Sequence, residues 1–228
     1  MIYVMSDLHG EYEKYLRMLD AIQLKEEDTL YILGDVVDRG KNPMYILKDM
    51  MKRKNIIPLL GNHDYYAYTI LSSLQNGGFF KNKGLLQYLM AWRMDGGQTT
   101  YNQFNELSKE EQKEILDYFS TFSLYKEVYV NENRYILVHA GLGNFDKDKD
   151  LADYDIEELC FYRPDFNTDF FGDEHIYIVC GHTPVQFIHK EASIYHNKHN
   201  ICIDCGAVFM GGKLACLCLD TMKEYYIE

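Results

Sequence analysis

Six side chains able to hold a divalent cation each stand just after an apolar run: Asp7, His9, Asp35, Asn62, His139 and His182. They offer two carboxylates, one amide oxygen and three imidazoles. Mixed oxygen and nitrogen donors suit manganese, iron or zinc better than calcium or a thiolate-bound metal. Asp7 and His9 lie two residues apart, so on a turn both can face one cation. Asn62, His139 and His182 can serve a second. Asp35, in ILGDVVDRG at 32–40, has two oxygens and can join the pair. Arg39, four residues on, can reach a phosphate held by those cations with its planar fork of donors. Singly, each residue has an ordinary explanation. An Asp after a strand is a common helix cap, an Asn there a turn residue, a loop His a hydrogen-bonding group. The joint pattern points to one dinuclear centre.

The elements that must position these groups are legible as alternating strands and helices. Strands are expected at 1–5, 29–33 and 56–60, with helices at 11–22 and from Pro43 to about 53. That alternation is the sign of a parallel α/β layer. Polar residues follow directly where each strand stops, the end at which open α/β sheets place their chemistry. Residues 64–122 are mainly helical in pattern, at 65–74, 84–92 and 108–119, with loops at Gly77-Gly78 and Gly96-Gly97. Strands return at 123–130, 135–138 and 176–180, a short helix is expected near 155–160, and 185–227 reads as several short strands and turns, so a second sheet is expected.

With 228 residues, 47% of them hydrophobic, the chain can bury a core as one domain, 1–228. Its net charge of −12 argues against unspecific nucleic-acid binding and against an anionic membrane. A phosphorylated substrate stays compatible, because bound divalent cations invert the local field. No signal peptide or membrane-length apolar stretch is visible, so a cytoplasmic protein is expected. The six cysteines, Cys160, Cys180, Cys202, Cys205, Cys216 and Cys218, read as buried thiols. A zinc site from Cys202, Cys205, Cys216 and Cys218 is the weaker reading, since both pairs lie in strand-like runs. Adjacent tyrosines such as Tyr65-Tyr66 read first as packing residues; stacking on a substrate ring is the alternative.

The segments SDLHG, GDVVDRG, GNHD, VHAG and GHTP resemble the five motifs of the calcineurin-like metallophosphoesterase superfamily, and most closely its phosphoprotein phosphatase branch. MDGGQTT at 94–100 and ICIDCGAVFMGGKL at 201–214 add weaker matches. The resemblance implies a four-layer α/β/β/α sandwich of two mixed β-sheets flanked by helices. It implies two divalent ions, manganese before iron or zinc. One is held by Asp7, His9 and Asp35, the other by Asp35, Asn62, His139 and His182, with a hydroxide between them as nucleophile. By the same resemblance Arg39 and Arg163 bind phosphate oxygens, with Asn62 beside the substrate. His63 protonates the leaving oxygen, oriented by Asp38. Pro184 stands where phosphodiesterase-type members carry a further histidine, and this favours the phosphatase branch. Asp64 stands where protein phosphatases usually have Glu, and Cys205 where Thr is usual.

Two enzymatic readings follow. The first is hydrolysis of phosphomonoesters, as in serine/threonine protein phosphatases. The second is cleavage of dinucleoside polyphosphates, such as diadenosine tetraphosphate, or of capped RNA ends. A non-catalytic phosphate-binding scaffold fits poorly, since every ligand, His63 and both arginines are present.

Overall fold

A computed structural model of the chain describes residues 1–77 and 83–228, and among these ten strands form two five-stranded sheets. In the first, β1 (Ile2–Met5), β2 (Thr29–Ile32) and β3 (Ile56–Pro58) are parallel, joined by α1 (Tyr12–Ala21) and α2 (Pro43–Met50). The end of the chain returns to complete it: β9 (Leu214–Cys218) pairs antiparallel with β1, and β10 (Lys223–Ile227) with β9. The second sheet runs β4 (Tyr125–Val130), β5 (Asn133–Val138), β6 (Ile176–Cys180), β8 (Asn200–Cys202), β7 (Tyr195–Asn197). Its three inner strands are parallel and its two outer strands antiparallel. Both sheets are thus mixed, with helices flanking them.

The two-residue period of a strand divides the first sheet between two cores. Tyr3, Met5, Leu30, Ile32, Cys216 and Cys218 pack with the helices, whereas Val4, Leu33, Ala215 and Leu217 pack with the second sheet. Burial on both faces explains why these strands read as nearly continuous apolar runs. It also decides the cysteines. All six are free and buried. Cys202 and Cys205 sit in the core between the sheets and Cys216 and Cys218 in the helix-side core, so the four belong to different cores and do not form one zinc site.

The helical stretch contains α3 (Asn62–Gln75), α4 (Lys83–Trp92), α5 (Gln98–Glu106) and α6 (Lys109–Phe119). Gly78, half of one expected loop, lies outside the described residues, as do 79–82. The sequence pattern clearly marks the start of α6, where Ser108 accepts from Glu111 N–H and Glu111 reaches back to Ser108 N–H. Two helical features differ from expectation. α3 begins at Asn62, three residues early, and the expected Gly96-Gly97 loop is a π-turn at Arg93–Gly97 running into the unforeseen α5. α7 (Ile156–Cys160) and α8 (Gln186–His189) are short, and Leu159 and Cys160 of α7 pack into the inter-sheet core. Among the described residues no helix is long and apolar enough to cross a membrane.

Candidate active site

The six donors follow β1, β2, β3, β5 and β6, with β4 intervening, and the turns after these strands meet. The turn after β1 is bonded to the turn after β2: Asp7 N–H donates to Gly34 O, His9 N–H to Asp35 O and Gly10 N–H to Val36 O, at 2.9–3.1 Å. Asp7, His9, Asp35, Asp38, Arg39 and His182 all have left-handed backbone, with φ between 41° and 73°. Each such residue costs roughly 1–3 kcal/mol and persists only where its surroundings fix it. Gly61 shows how closely the turns approach. A Cβ there would lie 2.3 Å from both the nitrogen and Oδ1 of Asp35. That contact sets the N-terminus of α3 on Asp35, whose Oδ1 accepts His63 N–H at 2.9 Å, favouring the anion. Buried Asp64 locks the same corner, accepting from Gly61 N–H and Val36 N–H at 3.1 and 3.0 Å.

The side chains arranged by these turns present acceptors to one another. Asp35 Oδ1 lies 3.5 Å from His139 Nε2, and Asp35 Oδ2 lies 3.6 Å from His9 Nε2. His9 donates from Nδ1 to Val37 O (3.0 Å) and His139 from Nδ1 to Leu33 O (2.7 Å), so each ring turns a bare Nε2 inward. His139 Nε2 then faces Asn62 Oδ1 at 3.0 Å. Asp7 Oδ1 is 4.0 Å from His9 Nε2, while its Oδ2 accepts from Ser6 and from His182 N–H. His182 Nε2 is buried with no hydrogen-bond partner. Facing lone pairs and an orphaned nitrogen, all out of water, are satisfied by cations. Two groups fit: Asp35 with His139 and His182, and Asp35 with His9 and His63, each with ligand atoms within 4.8 Å of one another. The residues present therefore suit two divalent ions sharing Asp35.

The electrostatics agree with this arrangement. Burial pushes the Asp35 carboxyl up, but His139, His63, His9 and His182 outweigh it and hold it below the ordinary carboxylate range. Burial drives His9 and His182 down to about 3, keeping both rings neutral, the form that binds a metal. Burial also opposes charge on His63, but Asp35 and Asp38 overcome it and raise the ring to about 9.

Asp38 and Arg39 engage His63 at the edge of its cation group. His63 Nδ1 is 2.8 Å from Asp38 Oδ2, and its Nε2 is 2.9 Å from Arg39. Arg39 also reaches His9 Nε2 at 2.7 Å, so its guanidinium spans the mouth of the site. A proton on His63 Nε2 and a hydrogen bond there from Arg39 exclude each other. Arg163 is exposed and donates to Thr183 Oγ1 at 3.2 Å, at the rim beside His182.

Three residues between the end of α4 and the first turn of α5 do work that spacing along the sequence could not reveal. Trp92 Nε1–H and Thr100 Oγ1–H each donate to the Asp38 carboxylate at 2.6 Å. Asp95 lies 3.7 Å from both Arg39 and His63. The left-handed Gly96 (φ +102) lets this segment close on Arg39, since a Cβ would meet Arg39 Cγ at 2.5 Å. The lone tryptophan and MDGGQTT were the available signals. Trp92→Phe keeps the packing and removes one donor from Asp38. On an alkyl phosphate kcat should fall about ten-fold. Steady-state kinetics check this, and the loss should vanish in a His63→Asn background, because a residue acting through His63 has nothing left to orient.

Two mixed sheets with donors for two cations at their strand ends define a metallophosphoesterase architecture. Residues 1–211 match the family described as calcineurin-like phosphoesterase. The chain belongs to the calcineurin-like phosphoesterase family. Among curated relatives, the symmetrical bis(5'-nucleosyl)-tetraphosphatase of Nitrosomonas europaea is 24% identical over 173 residues, 75% of this chain and 53% of the relative. The protein of the same name from Nitrosospira multiformis is 27% identical over 143 residues, 62% of this chain and 43% of the relative. The chain thus spans about half the length of these relatives. A solved structure provisionally assigned as a diadenosine tetraphosphatase superposes with a TM-score of 0.67 over 99% of this chain and 92% of its own, at 16% identity. A serine/threonine phosphatase from Saccharomyces cerevisiae gives 0.56 over 94% of this chain and 71% of its own, at 14% identity. At such identities these two likenesses concern the fold.

Proposed function

We propose that this protein is a metal-dependent phosphoesterase that hydrolyses dinucleoside polyphosphates of the diadenosine tetraphosphate kind, with manganese as the first candidate for both ions. The hydrolytic part rests on one observation: Asp35 sits between two groups of buried donors, one of its oxygens turned to each. The choice of substrate is supported by the names of the curated relatives. It reverses the order of the two readings drawn from the sequence, in which phosphomonoesters came first.

Asp7, His9, Asp35, Asn62, His139 and His182 would hold two divalent ions, which would supply an activated water and positive charge for the phosphoryl oxygens. Arg39 leaves the His9 and His63 nitrogens to pair with the phosphate, and Arg163 approaches from the Thr183 side. His63, held at Nδ1 by Asp38, carries a proton on Nε2 and gives it to the departing oxygen. Asp38 accepts from Trp92 and Thr100, which oppose the upward push of burial on its carboxyl.

A substrate panel tests this reading: diadenosine tetraphosphate, para-nitrophenyl phosphate and a phosphoserine peptide, each with manganese. Turnover should favour the dinucleotide. Efficient cleavage of the phosphopeptide with an inert dinucleotide would overturn it. Arg39→Ala should weaken inhibition by free phosphate by about ten-fold or more, as a charge-assisted contact is lost. An unaltered inhibition constant counts against that role.

A further inference from the structure

Tyr65, Tyr66, Tyr88 and Phe161, with Thr69 and Glu157 beside them, line a cavity of about 380 Å³ that the reaction scheme above leaves unused. Its position is fixed by the metal-holding residues. Tyr65 and Tyr66 follow Asn62 by three and four residues on α3, so all three lie on one helix face. The opposite face of α3 is anchored in the core by Ala67 and Leu71, and Ile70 forms the cavity floor between them and Tyr66. Phe161, at the end of α7, follows Cys160, whose thiol donates to Leu60 O at 3.1 Å beside the turn that carries Asn62. Both walls are therefore tied to residues that face the cations.

The rings form a rigid aromatic corner. Tyr66 meets Phe161 edge to face at 5.4 Å and 77°, Tyr65 meets Phe161 at 6.1 Å and 89°, and Tyr65 lies 6.0 Å from Tyr66. Tyr65, Tyr66 and Phe161 are only half-buried, so ring surface remains turned to the cavity. Planar aromatic surface beside a phosphate site suits a nucleobase, which stacks on such rings in single-stranded nucleic-acid sites. The exposed carboxylate of Glu157 can accept from an exocyclic amino group.

We infer that this cavity is a nucleobase subsite, taking one base of the substrate against Tyr66 and Phe161 while Arg39 and the cation donors take the phosphates. The inference rests on the dinucleotide reading above and adds the residues that recognise the nucleoside.

The test compares wild type with Tyr66→Ala, Tyr66→Phe and Tyr88→Ala, the last altering a side chain that is 61% exposed and so unimportant for folding. Two quantities are measured in each: the ratio of kcat/KM for diadenosine tetraphosphate to that for para-nitrophenyl phosphate, and inhibition of the aryl ester reaction by adenosine monophosphate relative to inorganic phosphate. Tyr66→Ala should lower the ratio about ten-fold or more, the scale of one lost stacking contact, chiefly through KM. Tyr66→Phe should restore it, and Tyr88→Ala should shift it in the same direction. The wild type should bind the nucleotide more tightly than phosphate, and Tyr66→Ala should lose that advantage. If the wild type ignores the dinucleotide but Tyr66→Ala still loses the nucleotide advantage, the substrate reading fails and the subsite stands. If neither quantity moves in Tyr66→Ala and Tyr88→Ala, the subsite is overturned whatever the substrate.

Discussion

Asp35→Asn should yield a folded protein holding fewer than two divalent ions per chain, with turnover reduced by at least about 10³-fold. The reason is geometric. Oδ2 faces His9 and Oδ1 faces His139, so the carboxylate gives one oxygen to each group of donors. Asparagine keeps a single oxygen and aims an NH₂ at the other group, where two N–H donors meet a cation. The amide also loses the negative charge that four imidazoles surround. Elemental analysis of the purified variant is the deciding measurement, and two ions per chain would remove Asp35 from its bridging position.

His63→Asn should behave differently: both ions retained, and turnover of an alkyl phosphate lowered by about 10²–10⁴-fold. His63 enters the site through Nε2, while its Nδ1 is committed to Asp38 and its backbone N–H to Asp35. The size of the loss should depend on what departs. An alkoxide needs a proton badly, whereas a nitrophenolate or a nucleoside polyphosphate leaves with little help. The variant's defect should therefore shrink from alkyl phosphate to para-nitrophenyl phosphate. An equal defect on both esters would mean that the ring is not the proton donor.

The sequence showed the donors plainly because strand ends are conspicuous. An apolar run stops, and a carboxylate, amide or imidazole stands where the next apolar residue would be. Asn62 looked like a turn residue, yet Asn62, His63 and Asp64 form the first turn of α3, with Asp64 accepting from the Gly61 N–H. α5 was hidden because two glycines precede it, threonine and asparagine within it have low helix propensity, and only Thr100 and Phe104 of that helix are buried, too few to set a period. The contacts of Trp92 and Thr100 with Asp38 span 54 and 62 residues and depend on the kink at Gly96, which no local pattern encodes. Substrate choice was least legible: the subsite inferred for it is lined by residues of α3, α4 and the end of α7, which no strand-end pattern marks.

Asp7, His9, Asp35 and Asn62 follow strands of the first sheet, and His139 and His182 follow strands of the second. A cut anywhere between Ser123 and Val138 would leave four of the six donors on one fragment and His139 and His182 on the other, so neither piece holds the second set complete. Catalysis is then a report on assembly: any hydrolysis recovered on mixing two such pieces says that the halves have reseated in register, to within the tolerance of a coordination bond.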